Sequence, residues 1–155
     1  MAISPTSPLS GATQPDLTSP TYTLTEDIGP NANSKQWIVT SLGGTQTGVD
    51  THSVSKPFTL TVERPSTFRQ IGAVNPTTGV VSNVPNNVYT VRVRKGVVPL
   101  SGQNPRNCIC EARFSVPAGS DTADLPNLEA ALSCMIGALT DISTDLGGTV
   151  ENGSI

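Results

Sequence analysis

The chain has 155 residues, 35% of them hydrophobic but only 4% aromatic, with 14 Gly, 13 Pro and a formal net charge of −3. That length fits one domain able to bury a core without staples, and no apolar run is long enough for a helical membrane span. The start, "MAISPTSPLSGATQPD", lacks the basic and apolar regions of a signal peptide. With three cysteines, an odd number, this predicts a cytosolic protein rather than a secreted disulfide framework.

The net charge hides a segregation. Residues 1–55 carry Lys35 against four acids, 56–113 carry eight cations against Glu63 and Glu111, and 114–155 carry six acids and no cation. An asymmetry of that kind within one domain points to an anionic partner, nucleic acid first, on one side of it.

In chain order, residues 1–20 are rich in Pro, Ser and Thr and read as an extended or poorly ordered arm, with one domain over 21–155. "TYTLTEDIGPNANSKQWIVTS" (21–41) predicts a hairpin turning at "GPNAN", and "LGGTQTGVDTHSVSK" a loop or irregular strand. "PFTLTVERPS" alternates, with Phe58, Leu60 and Val62 on one face and Thr59, Thr61 and Glu63 on the other. "TFRQIGAVNPTTGVVSNVPNN" (67–87) carries two short apolar runs around "NPTTG", a second hairpin signal. "VYTVRVRKGVVP" places Tyr89, Val91 and Val93 opposite Thr90, Arg92 and Arg94. The loop "LSGQNPRN" follows, then "CICEARFSVP", with Cys108, Cys110, Ala112, Phe114 and Val116 opposite Ile109, Glu111, Arg113 and Ser115.

After "AGSD" the period changes to three and four: Leu125, Leu128, Leu132, Met135 or Ile136, Leu139, Ile142 and Leu146. This predicts an amphipathic helical region over 121–147, capped by Asp121 or Asp124, ended by Gly147-Gly148 and weakest at Gly137 or Thr140 to Thr144. Strands first and helices last make an α+β fold on an antiparallel sheet (21–117). A sheet of five or six strands is some 25 Å wide, and one helix about 10 Å across. A second identical chain bringing its own helix is the economical closure, so a homodimer is expected, with Leu128, Leu132, Met135, Ile136 and Leu139 at its interface.

Catalysis finds little support. His52 is the only histidine, and no HExxH, nucleophile elbow or P-loop pattern occurs, so no catalytic residue, metal or cofactor is assigned. Cys108 and Cys110 form CxC on the apolar face and read as buried thiols, with intersubunit disulfides as the alternative. The polar face differs because it recurs on three strands. Guanidiniums bind phosphate bidentately and hydroxyls suit base edges or the ribose 2′-OH, so Thr59, Thr61, Glu63, Thr90, Arg92, Arg94, Glu111 and Arg113 are candidate RNA-binding residues.

The order "KPFTLTVERPS", "YTVRVRKGVVP", "EARFSVPAGSD", "LPNLEAALSCMIGAL" resembles the coat proteins of single-stranded RNA bacteriophages, the leviviruses and their relatives. The likeness runs from about Tyr22 to the C-terminus. It implies an obligate dimer with one continuous sheet facing the particle interior and interlocked helices outside. It also implies an icosahedral shell around the RNA genome, assembled in the bacterial cytoplasm and found as the virion. In several members a dimer also binds an RNA hairpin and represses translation. The RNA-facing positions carried over are Thr59, Thr61, Glu63, Thr90, Arg92, Ile109, Glu111 and Arg113. Glu63 and Ile109 depart from the basic and aromatic residues of some members. The loop holding Gly102, Gln103, Asn104, Pro105 and Arg106 would set contacts between dimers. A secreted or surface β-domain of pilin or adhesin type is the alternative from another class, opposed by the charge segregation and the missing signal.

Overall fold

The computed structural model describes residues 3–155, so the first two residues of the predicted arm lie outside it. Six antiparallel strands form one sheet in chain order: β1 (Leu9–Ser10), β2 (Thr18–Asp27), β3 (Ser34–Thr45), β4 (Phe58–Glu63), β5 (Asn86–Val97) and β6 (Arg106–Pro117). Three helices follow: α1 (Ser120–Ala123), α2 (Leu125–Asp141) and α3 (Ser143–Asn152). Among the described residues no helix is long and apolar enough to cross a membrane.

The arm is extended, and it is also tied down. β1 pairs Leu9 with Tyr22 and Ser10 with Thr21. The Ser7 hydroxyl accepts the Leu24 N–H at 2.9 Å and donates to the Leu24 carbonyl at 3.2 Å. The predicted hairpin is β2–β3, and Ser34 closes its turn by accepting from the Asn31 N–H at 3.0 Å and donating to the Asn31 carbonyl at 2.8 Å. β3 runs on through Gly43 and Gly44 to Thr45, so the glycine-bearing segment begins as strand and continues as a loop from Gln46. Gly44 has φ +75°, and a Cβ there would strike the Ser19 backbone; a side chain would be strained on both counts.

The 67–87 segment holds only an isolated bridge, Val74 to Val81, instead of a hairpin of strands. The turn at "NPTTG" does form: Asn75 Oδ1 accepts the N–H groups of Thr77 and Thr78. The flanking apolar side chains Phe68, Ile71, Val80 and Val84 stay exposed, so no packed face stabilises longer pairing. Arg106, expected in the loop, opens β6 by pairing with Val97.

Leu24, Trp37 and Val39 are buried, with Leu9, Tyr22, Leu42, Phe58, Leu60 and Val62 packed against them. The core therefore sits over β2–β4. At the far end of β6 Val116 is buried as well, but around Cys108 and Cys110 the same face is open, and both are exposed, as is Cys134 on α2. The expectation of buried thiols fails in the single chain because no helix covers them. Enough protein still surrounds Cys110 to push its thiol pKa up, with Cys108 adding, which disfavours the reactive thiolate.

The helical region begins and breaks near the predicted places. Asp124 occupies the cap position of α2, but its carboxylate accepts from Asn127 Nδ2 at 2.8 and 2.9 Å and makes no capping bond to the backbone. The break falls at Ile142. Gly147 and Gly148 do not end the helix; α3 runs through them to Asn152 and stops at Gly153, whose φ is +69°. Gly147 lies against Gln14 and Pro15 with no room for a Cβ, and the hydroxyls of Ser143 and Thr144 both donate to the Thr13 carbonyl at 3.2 Å. Close approach to the arm, rather than termination, is what this glycine serves. α2 buries no residue at all, and Leu139 is 42% exposed.

Candidate nucleic-acid interface

Strand alternation puts a second set of side chains on the face opposite the core, and the register aligns them in rows. One row runs Ser34, Glu63, Thr90, Arg113. The next runs Asp27, Gln36, Thr61, Arg92, Glu111, and a third Thr25, Ile38, Thr59, Arg94, Ile109. All eight sequence-derived candidates thus share one face of three adjacent strands. β2 and β3 widen it by Asp27 and Gln36, which the sequence reading left out. Their alternation was visible, but only the register joins them to Thr61 and Arg92.

The hydroxyls are not an open platform. Thr59, Thr61 and Thr90 are 1%, 5% and 7% exposed, because short side chains between arginines, Gln36 and Ile38 form the floor while longer ones close over them. Thr61 donates to Gln36 Oε1 at 3.1 Å. Thr59 Oγ1 is buried with no partner, an uncommon and costly state for a hydroxyl.

The arginines divide into two kinds. Arg92 Nε donates to Glu111 Oε2 at 2.8 Å and lies 3.9 Å from Glu63, and Arg113 reaches Glu111 Oε1 at 3.2 Å. The hydrogen bond from Arg92 holds the Glu111 carboxyl below the usual carboxylate range, helped by the charges of Arg92 and Arg113. The same bond raises the Arg92 pKa. An anion does sit over one guanidinium of β5, that of Arg92, and it is Glu111 from the neighbouring strand. Arg94 is the other kind: among the described residues no carboxylate lies within 4.0 Å of it, and its Nε is buried and unpartnered.

Three acids and three arginines occupy these rows, so the face is charged, dense in donors and near neutral in sum. All six acids after residue 113 lie on or beside the helices. A surface with both signs so interleaved offers hydrogen-bond donors at set points and little indiscriminate attraction for polyanions. Among the described residues no cluster of His, Cys, Asp or Glu could hold a metal ion.

No family model matches the chain, and no curated protein does. A solved chain from the virus-like particle of bacteriophage ESE020 does match: it is 49% identical, superposes with a TM-score of 0.96, and the match covers 99% of this chain and 100% of that one. This chain belongs to the coat proteins of single-stranded RNA bacteriophages. A second structure, the virus-like particle of Wenzhou levi-like virus 4, is 16% identical with a TM-score of 0.42 over 81% of this chain and 74% of that one, too distant to argue from. The coat protein's role is structural, not enzymatic: it builds a capsid particle by self-assembly.

Proposed function

We propose that the coat protein assembles through an obligate, interlocked dimer whose mixed polar face holds single-stranded RNA inside the shell. The observation that carries the dimer is α2. Its 17 residues, about 25 Å long at 1.5 Å per residue, bury no side chain in their own chain. The apolar sheet face meanwhile keeps an open cleft of about 160 Å³ lined by Leu9, Tyr22, Leu24, Val39, Leu60 and Val93 among others. Leu128, Leu132, Met135, Ile136 and Leu139 of a second copy fit that face. β6 offers twelve residues of edge with a single neighbour, β5, and such an edge invites a strand from another copy. Pairing two β6 strands would make one continuous sheet.

For RNA, the support is the confinement of Arg92, Arg94 and Arg113 to one face and of the late acids to the helices. Hairpin recognition and translational repression would use the same surface, with Thr59, Thr61, Thr90 and Arg92 as the floor. The loop with Gly102, Gln103, Asn104 and Pro105 would join dimers around the symmetry axes, and assembly would take place in the bacterial cytoplasm.

Expression of the full chain in bacteria tests the reading. Uniform particles that yield dimers on dissociation and contain RNA are expected. Replacing both Arg92 and Arg94 with Ser removes the ion pairs of Arg92 but no apolar core residue, so it should leave dimers folded, as checked by gel filtration, and should lower the packaged RNA. Parent-like RNA content in that variant would remove these arginines from packaging.

A further inference from the structure

Where Arg94 emerges, the polar face is not flat. The 52–55 loop and the row containing Arg94 bound an open cleft of about 510 Å³, lined by Asp27, Gln36, His52, Ser55, Arg94 and Asn107 among others. It adjoins the patch around Thr61 and Arg92, which do not line it themselves but reach it through Gln36, the acceptor of the Thr61 hydroxyl. Four observations bear on its occupant. Arg94 carries a charge that it cannot lose, lacks a carboxylate, and keeps a buried Nε–H without an acceptor. Buried donors of that kind are rare and usually mark a missing partner. His52 Nδ1 accepts the Phe58 N–H at 3.0 Å, which puts the proton of the neutral ring on Nε2 and makes the free nitrogen a donor. Asn107 adds an amide, and Ser55 a hydroxyl. The one acid of the lining, Asp27, already accepts from Gln36 Nε2 at 2.9 Å, a bond that draws its pKa down.

Asp27 stays ionised and balances the charge of Arg94, so the lining suits a ligand that brings an anionic group to the Arg94 side and neutral polar groups elsewhere; the volume exceeds what a lone inorganic ion needs and falls in the range of sites for small organic ligands. Val54, fully exposed on the loop beside the cleft, gives an apolar contact of the kind an unstacked base takes. We propose that this cleft is an adjoining seat for one unpaired nucleotide of single-stranded RNA, with its phosphate on Arg94 and His52 and its base between Val54 and the Gln36 and Asn107 amides. The proposal rests on the RNA-packaging reading and deepens it, since it gives His52 and the 52–55 loop a role as a clamp.

Ultraviolet crosslinking of RNA inside full-chain particles, followed by mass spectrometry of the peptides, separates the two claims. Crosslinks are expected at residues 52–57 as well as on β5 and β6. Arg94→Gln should reduce those at 52–57 several-fold relative to those around Glu111 and Arg113, with both counted per RNA packaged. Should that variant fail to assemble, Asn107→Ala serves the same comparison. Crosslinks on β5 and β6 with none at 52–57, or yields at 52–57 that neither substitution alters, would overturn the clamp and leave packaging standing. Particles with no RNA and no crosslinks would bring down both.

Discussion

Glu111 governs the charge that the polar face shows to a ligand, because it occupies Arg92 and Arg113 together. Glu111→Gln should free Arg113 and leave Arg92 only the longer contact to Glu63, strengthen binding of a single-stranded oligoribonucleotide and steepen its salt dependence. Each freed cation that meets a phosphate adds about 0.7 to the slope of log K on log salt. An unchanged slope in a titration from low to moderate salt would show that the released arginines do not reach phosphate. Acid has the same direction of effect. The Glu111 pKa is lowered in the folded chain, so its ion pairs contribute fully above the ordinary carboxylate range and are lost as pH falls through the depressed value. RNA affinity should therefore rise on acidification in the parent more than in Glu111→Gln, as measured by fluorescence anisotropy. The alternation that put Arg92 and Glu111 on one face could be read from sequence because a strand's period of two is local. That they pair depends on the register between strands nineteen residues apart, which no local pattern encodes.

Among the elements, α2 is where composition and burial part company. Its leucines recur at helical spacing, yet none is buried in the single chain. Leu132→Asp or Leu139→Asp should cost several kcal/mol if a partner covers this stripe, and soluble folded monomers on gel filtration would contradict the interlocked arrangement. α3 makes a separate test. Gly147→Val would push a side chain into Gln14 and Pro15, an overpacking worth about 1–3 kcal/mol. Its thermal midpoint should fall, and a midpoint equal to the parent's would mean that the arm yields freely. From sequence, Gly147-Gly148 read as a helix end because glycine is a common stop signal. That glycine also permits close packing inside a helix shows only once the arm is in place. Likewise "NPTTG" predicted its turn correctly, and the missing strands around it reflect an apolar set with nothing to pack on.

At the scale of the whole molecule, the sheet supplies scaffold, and the proposed contacts between dimers fall in its loops. The turn at 98–105 has Gly102 at φ +81°, with open space where its Cβ would stand. Deleting residues 101–104 should therefore spare dimers while changing or abolishing shells, as seen by electron microscopy and light scattering; parent-like particles would place the contacts between dimers elsewhere. The strands, their order and the polar face were open to sequence reading, because composition, alternation and charge blocks are properties of the chain itself. The absence of a cover around Cys108 and Cys110 was reachable only as an argument about widths, since it concerns a surface that a single chain lacks the material to fill.

The bare stripe of α2 also bears on the fate of each newly made copy. If a second copy covers that stripe, as proposed, each chain spends its first moments with apolar surface open to proteases and to aggregation, and the rate at which protected pairs form grows with the square of the chain's concentration. Early in synthesis most copies would be lost. Once production passes a threshold the surviving fraction would climb steeply, so that shells appear in a burst rather than in proportion to the protein made. The helix that closes the particle would in this way also set its timing.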